Sequence, residues 1–201
     1  MTHEQVQIVF EQIFDGLSMA LSEAHLPWKP TSRENKWTET VFHCMEALAD
    51  GRHVVNWRVK GAKERPPAGP GEWLFDLTWC DGNPRSGEFR GLVLALESEW
   101  GCGSRDGWPN KIHEDLNKLL VAACPLRVFV YSTPGFAPTQ RDVPMALNLV
   151  RKTMSEVPGA TSLNLLAVLV SPKTSATGSC TLQGLMYVGS GVPTPIEPRS
   201  C

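Results

Sequence analysis

The stretch GLVLALESEWG, Gly91 to Gly101, joins an apolar run typical of a buried β-strand to two glutamates, Glu97 and Glu99. Successive side chains of a strand point to opposite faces of the sheet, so both glutamates share the face of Ala95. The sequence therefore predicts two like charges held side by side where an apolar strand ends. A pair of charges in that position needs a chemical explanation.

The overall composition bounds the class of protein. The chain has 201 residues, 42% of them hydrophobic and 20% charged, which predicts one domain with a substantial core. A formal net charge of -2 gives no overall basic field and disfavours a histone-like or coat-like binder. Any nucleic-acid surface on this protein would therefore be a local patch.

The cysteines and the N-terminal sequence bear on the compartment. The 6 cysteines include no CxxC pair, and the first residues lack the basic and apolar regions of a signal peptide. This predicts free thiols and a cytoplasmic protein. No apolar run reaches the roughly 18 residues of a membrane span, so no membrane contact is predicted. A protein exported without a cleavable signal would share these features.

Hydrophobic periodicity predicts alternating helices and strands after an antiparallel start. The predicted elements are helices at 4–24 and 31–50, strands at 52–60, 72–80 and 91–99, a helix at 111–123, a strand at 126–132, a helix at 144–157, and strands at 162–171 and 181–189. This order predicts an α/β fold: a single domain, 1–201, with a mixed β-sheet flanked by helices. Its parts would be an N-terminal helix 4–24, a core at about 34–132, a C-terminal helix and strands at 144–188, and an irregular tail at 189–201.

The strands at 72–80 and 91–99 are predicted to form a β-hairpin. Asp76, in LFDLTW, is the one charge inside the first of them. Asp76 faces Glu97 directly if paired residue numbers sum to 173, a register that also sets Cys80 opposite Val93. The two carboxylates can share a ligand only if they lie on the same face of the sheet.

Motif absences narrow the chemistry. The chain contains no GxxxxGK[ST], no HExxH and no GxSxG, which disfavours a phosphate-binding P-loop, a zinc protease and an α/β-hydrolase. Carboxylate chemistry remains. Hard cations such as Mg²⁺ bind oxygen ligands and often use only one or two protein carboxylates.

An acidic residue in one strand, (Asp/Glu)-x-(Lys) at the end of the next, and then a helix and an apolar strand resembles the PD-(D/E)xK nuclease superfamily, which includes restriction endonucleases. The similar segments are LFDLTW, LALESEW and KIHEDLNKLLVAACPLRVFVY, and the resemblance covers roughly residues 34 to 131. It implies a restriction-endonuclease-like core and a phosphodiester hydrolase dependent on Mg²⁺ or Mn²⁺.

The resemblance also implies roles for individual residues. Asp76 and Glu97 would bind the metal together with the backbone carbonyl of Ser98. Glu39, in KWTETV, matches the acidic residue that members of the superfamily often carry on the first core helix. The departure is Glu99, which stands where lysine is usual and where a few restriction enzymes also have glutamate.

Two further lysines offer the missing positive charge. Lys111 or Lys118 from the following helix could supply it. Without metal, Glu97 and Glu99 should repel each other, so a divalent cation is expected to stabilise the protein. Trp100 and Trp108, which flank a Gly-rich segment, are candidates for stacking on a base.

The resemblance predicts a nuclease with nucleic acid as its partner, and favours DNA over RNA because members of the superfamily act mostly on DNA. The alternative is a catalytically inactive domain of the same fold that binds a protein or nucleic acid, and a homodimer is also open. The usual Lys is absent, which favours this alternative, whereas Asp76 and Glu97 favour the enzyme. Without the resemblance, Asp76 would be interpreted as the partner of Arg58 or Lys60, and Glu39 as a solvated charge on a helix.

Overall fold

The structure is a computed structural model that describes residues 1–24, 26, 34–57, 75–83, 86–100, 107–133, 141–172, 180–189 and 192–201. Within them the helices are α1 (His3–Ala24), α2 (Glu34–Ala49), α3 (Trp108–Leu120) and α4 (Asp142–Glu156), with a 3-10 turn at Ala160–Ser162. The strands are β1 (Val54–Trp57), β2 (Leu77–Asp81), β3 (Gly91–Glu99), β4 (Leu126–Ser132), β5 (Leu165–Pro172), β6 (Cys180–Tyr187) and β7 (Thr194–Ser200).

The seven described strands form one sheet in sequence order, from β1 to β7. The pairs β3–β4 and β4–β5 are parallel, and each of these connections carries a helix, α3 or α4. The other four pairs are antiparallel. The prediction of a single α/β domain with a mixed sheet flanked by helices is confirmed.

The sheet separates two hydrophobic cores. α1 and α2 pack on one face, where Leu94 and Leu96 of β3 belong to the same cluster as Phe14 and Met45. α3 and α4 cover the other face, where Ala95 contacts a cluster that includes Ile112. Since side chains alternate along β3, Glu97 and Glu99 lie on the face covered by α3.

The predicted hairpin register is confirmed from Leu77 to Trp79. Leu77 pairs with Leu96 and Trp79 with Leu94, so paired numbers sum to 173 in this part of the ladder. The ladder begins at Leu77, so Asp76 lies one residue outside it, and there it accepts hydrogen bonds from Ser98. The prediction that Cys80 faces Val93 was wrong, because a β-bulge after Trp79 shifts the partner of Cys80 to Leu92.

The strand predicted at 72–80 is shorter where it is described. Phe75 and Asp76 form a bend just before β2, and residues 72–74 lie outside the described residues, as do residues 31–33 and 58–60 at the ends of two other predicted elements. Because of the bend, Phe75 packs against the α3 side rather than sharing the face of Leu77 and Trp79. Asp76 therefore sits at the mouth of the hairpin rather than inside a strand.

α3 begins and ends three residues earlier than the predicted helix at 111–123. Pro109 occupies its first turn, where the missing N–H costs nothing, and Trp108 is buried beneath it. At the other end, Arg127 of β4 donates hydrogen bonds to the carbonyls of Leu119 and Ala122, which stops the helix there. These hydrogen bonds join the end of α3 to β4.

The predicted irregular tail at 189–201 was wrong. Residues Thr194–Ser200 form β7, an edge strand antiparallel to β6 whose side chains are mostly exposed. Cys180 and Cys201 form a disulfide next to this pairing, which corrects the prediction that all thiols are free. Cys44, Cys80 and Cys124 are free thiols, and Cys102 lies outside the described residues. Among the described helices, none combines the length and apolar character that crossing a bilayer requires.

Candidate metal centre

Asp76 is held by Ser98 of β3. The backbone N–H of Ser98 donates to Oδ2 of Asp76 at 2.8 Å, and the Ser98 hydroxyl donates to the same oxygen at 3.0 Å. Burial raises the pKa of Asp76, while these two hydrogen bonds lower it, and the net shift is upward. In a strand, the N–H and C=O of one residue point to the same side, so the Ser98 carbonyl also points toward the Asp76 side.

Glu97 is the most deeply buried carboxylate of the group, with 3% of its surface exposed. Its Oε1 has no hydrogen-bond partner within the described part of the chain. Burial, followed by the negative charge of Asp76, raises the pKa of Glu97 to about 9. A buried carboxyl group with an unpaired oxygen and acidic neighbours is costly unless it holds a proton or a cation.

Glu99 lies two residues further along β3, at the same edge of the sheet. Burial, then the charge of Asp115, raises the pKa of Glu99 to about 7, and a side-chain hydrogen bond with Asp115 acts in the same direction. Two carboxyl groups can form such a bond only if one of them is protonated. Glu99 is therefore partly protonated near physiological pH. Its presence in place of lysine adds less than one full negative charge to the site.

α3 contributes two residues to the same place. Lys118 forms an ion pair with Asp115, with 2.6 Å between Nζ and Oδ1, and its Nζ lies 3.8 Å from Oε2 of Glu97. Burial alone would lower the pKa of Lys118, but the hydrogen bond to Asp115 and the surrounding carboxylates raise it. Of the two lysines considered from sequence, Lys118 is the one that the structure brings to Glu97.

Asp115 was missed by the sequence analysis. It is buried on the side of α3 that faces the sheet, together with Ile112, Leu116 and Leu119. The signal was present in the sequence, because in KIHEDLNKLL an aspartate falls on the apolar stripe, three residues after Ile112. A carboxylate at such a position needs a partner, and Lys118, three residues later, is that partner.

Two other predicted site residues lie apart from this cluster. Glu39 is half-buried on α2, the helix that packs on the opposite face of the sheet. No hydrogen bond or ion pair between described residues joins Glu39 to Asp76 or Glu97. Lys111 forms an exposed ion pair with Glu114 at 3.3 Å. The positive charge of Lys111 lowers the pKa of Glu99.

Trp100 and Trp108 do not present their rings for stacking on a base, which corrects that prediction. Trp108 is buried and donates from Nε1 to the carbonyl of Ser132 at 3.0 Å. Trp100 is buried against Trp37 and donates from Nε1 to the Thr38 hydroxyl at 2.8 Å. Both indoles are structural, and they anchor the segments on either side of residues 101–106.

The donor set suits a hard cation. Asp76 and Glu97 supply carboxylate oxygens, the ligand type that Mg²⁺ and Mn²⁺ prefer, and Oε1 of Glu97 lacks a partner among described residues. No three described His, Cys, Asp or Glu side chains converge closely enough to hold an ion by themselves. A site of this kind would be completed by water and substrate oxygens, as is common for Mg²⁺.

No known family model matches this chain, and no curated protein is significantly similar to it. The resemblance to PD-(D/E)xK nucleases therefore rests on the residues and on the order of elements. In the structure, the strand bearing Glu97 is followed by α3 and then by a parallel, fully buried strand.

Proposed function

We propose that this protein is a metal-dependent phosphodiester hydrolase of the PD-(D/E)xK type, acting on DNA. The proposal rests on one observation above all. Glu97 is buried, one of its oxygens has no hydrogen-bond partner in the described chain, and a second carboxylate, Asp76, is near enough to raise its pKa. A divalent cation would satisfy both carboxylates at once.

Asp76 and Glu97 would hold Mg²⁺ or Mn²⁺, with the Ser98 carbonyl as a further oxygen ligand. When bound, such a cation supplies an activated water and stabilises the negative charge that develops on phosphate. Ser98 keeps Asp76 in place through two hydrogen bonds. Lys118 of α3 brings a positive charge to the site. The third position of the motif, where lysine is usual, holds Glu99 and supplies no such charge.

The position of the cluster supports the same proposal. Asp76 precedes β2, and Glu97 and Glu99 end β3, whose other neighbour, β4, is parallel to it. In sheets with parallel strands, ligands bind beyond the carboxyl ends of those strands, where the loops leave a crevice. A substrate approaching this end of the sheet would meet the half-buried Glu99 and the 31% exposed side chain of Lys118, with Glu97 beneath them.

The alternative is a nuclease-fold domain without activity that binds nucleic acid or protein. It is favoured by the extra carboxylate: Glu99 and Asp115 add negative charge where a phosphate would have to approach. The two functions differ in two measurable respects, because only the enzyme is expected to cleave DNA and to require a divalent cation at Asp76 and Glu97.

The test combines cleavage and metal binding. Plasmid and single-stranded DNA are incubated with the protein in Mg²⁺ or Mn²⁺, and the melting temperature is measured with and without each cation. We expect cleavage, and a rise in melting temperature of about 3 to 6 °C if the cation concentration exceeds its Kd about tenfold. Both effects should disappear in Asp76→Asn and in Glu97→Gln.

Glu156→Gln is a matched control, since it removes an exposed carboxylate on α4, far along the chain from the site. It should keep both cleavage and the metal response. Cleavage that persists in both site variants would assign the activity to a contaminant or another site. A wild-type protein that neither cleaves nor responds to metal would leave the binding function as the better proposal.

A further inference from the structure

Asp115 and Lys118 form the most tightly built ion pair in contact with the carboxylate cluster. Their 2.6 Å contact spans one turn of α3, and the Asp115 side chain is 11% exposed. Lys118 is 31% exposed, so its aliphatic stem is covered while its ammonium group remains within reach of solvent. The same ammonium group lies 3.8 Å from the buried Glu97.

We propose that Asp115 is a positioning residue: it holds the Lys118 ammonium group beside Glu97, where this group competes with a divalent cation for the carboxylate. The competition rests on the proposed function, whereas the positioning does not. In the metal-free protein the Lys118 ammonium group lies 3.8 Å from Glu97, and a divalent cation bound there would meet its electrostatic repulsion.

The geometry identifies Asp115, rather than Glu97, as the residue that fixes Lys118. The contact with Asp115 is a hydrogen bond, whereas 3.8 Å to Glu97 is too long for one. Asp115 itself is fixed because it lies on the buried stripe of α3 between Ile112 and Leu116. Lysine side chains are otherwise flexible, so an anchored partner decides where the charge is.

α3 provides an internal comparison. Lys111 and Glu114 have the same spacing of three residues, but both side chains are 57% exposed. An exposed pair of this kind contributes little and restrains its lysine little. Lys111 therefore serves as an example of an unrestrained lysine, and Lys118 of a restrained lysine, on the same helix.

The positioning is tested without metal. In EDTA, wild type and Asp115→Asn are treated with a limiting amine-acetylating reagent, and the labelling rate of each lysine is read by peptide mass spectrometry. Asparagine keeps the shape of aspartate, so packing is preserved. We expect Lys118 to be labelled more slowly than Lys111 in the wild type, because its side chain is 31% exposed against 57% and Asp115 accepts a hydrogen bond from its ammonium group. In Asp115→Asn the labelling of Lys118 should be about fivefold faster, as the loss of a hydrogen bond that occupies the ammonium group would give.

Glu114→Gln is the matched variant for labelling. It should raise the labelling rate of Lys111 slightly, and it should change the labelling rate of Lys118 much less than Asp115→Asn does. A rescue variant, Asp115→Glu, should return the labelling of Lys118 toward the wild-type rate because it restores the carboxylate. If Lys118 is labelled at the same rate in wild type and in Asp115→Asn, the positioning role is wrong.

The competition is tested by the apparent affinity for Mn²⁺, taken from melting temperature against metal concentration. Lys118→Met should bind Mn²⁺ about tenfold more tightly than wild type, since it removes a positive charge about 4 Å from a ligand. Lys118→Gln is the second neutral variant should the first not fold. Lys152→Met, which breaks an exposed pair on α4, should bind Mn²⁺ as the wild type does.

The two arms separate the two proposals. Equal or weaker Mn²⁺ binding by both Lys118 variants would overturn the competition while leaving the metal site intact. If neither wild type nor the Lys118 variants respond to Mn²⁺, the proposed function is overturned and the competition falls with it. In that case, the labelling result would still decide whether Asp115 positions Lys118.

Discussion

Ser98 donates two hydrogen bonds to a single oxygen of Asp76, one from its backbone N–H at 2.8 Å and one from its hydroxyl at 3.0 Å. Both bonds go to Oδ2, and within the described residues none engages Oδ1. The two bonds link the bend that precedes β2 to Ser98, the second-to-last residue of β3. Ser98, the middle residue of the Glu97-Ser98-Glu99 motif, therefore also orients the first carboxylate of the site.

Ser98→Ala is expected to weaken the site without unfolding the protein. It removes the hydroxyl bond and keeps the backbone bond, so the free energy of unfolding should fall by about 1 kcal/mol. Loss of a group that orients a metal ligand typically weakens metal binding at least tenfold. Urea unfolding and Mn²⁺ titration measure the two effects. Ser155→Ala, which removes an exposed hydroxyl on α4, should leave both unchanged.

The stability of the metal-free protein should fall as the pH rises. Burial first, and acidic neighbours second, raise the pKa of Glu97 to about 9 and that of Glu99 to about 7, from 4.5 in the unfolded chain. The folded state therefore binds more protons than the unfolded state from pH 4.5 to about 9 at Glu97, and from pH 4.5 to about 7 at Glu99. Each group therefore costs roughly 1.4 kcal/mol per pH unit as the pH rises through its window.

Urea unfolding in EDTA from pH 5 to pH 9 measures this slope. It should be steepest below pH 7, where both groups contribute, and should continue to about pH 9 because of Glu97. In Glu97→Gln the part between pH 7 and pH 9 should vanish. A variant that keeps the wild-type slope there would show that Glu97 titrates in its ordinary range.

Arg127 is expected to control the site from the far end of α3. Its guanidinium is buried and donates from Nε to the carbonyl of Leu119 at 2.9 Å and from Nη2 to that of Ala122. Arg127→Met leaves these carbonyls without their charged donor, so we expect a loss of about 2 kcal/mol in unfolding free energy. Because α3 carries Asp115 and Lys118, the labelling rate of Lys118 should rise as well.

Arg151→Met is the control for this variant, since it removes an exposed arginine of α4 that bonds Asn148. Its unfolding free energy should stay within about 0.5 kcal/mol of the wild type. Equal stability of the two variants would mean that water replaces the donors of Arg127.

The disulfide between Cys180 and Cys201 should stabilise the C-terminal strand. It closes a segment with a sequence separation of 21, for which the restriction of the unfolded chain contributes about 3 kcal/mol. Urea unfolding with and without a reducing agent measures this contribution. Cys201→Ser should match the reduced wild type and should not respond to the reductant; a wild type that is equally stable in both conditions would contradict the bond's role.

Much of the fold follows from local patterns. LRVFVYS was predicted as a strand at 126–132 and is β4 with the same bounds, because an apolar run without alternation is typical of a strand buried on both faces. β7 was missed because Pro195, Pro198 and exposed polar side chains give no strand pattern. Its existence depends on pairing with β6, which no local pattern contains.

The site was predictable only in its hairpin half. Asp76, Glu97 and Glu99 follow from side-chain alternation and from a register that the ladder confirms at Leu77 and Leu96. Asp115 was not identified, since its role appears only when α3 lies against the end of β3. The β-bulge after Trp79 was also beyond the sequence, because it depends on how two strands twist together.

The sequence by itself determined that Glu97 and Glu99 share a face, that their strand forms a hairpin with the one that follows Asp76, and that a helix comes after them. These are consequences of backbone geometry over a few residues. The tertiary structure alone decided which charged side chains surround Asp76, Glu97 and Glu99. Lys118 and Asp115 reach the cluster only through the packing of α3, and both the energy of a buried charge and its attraction to a partner depend on distance through space rather than along the chain.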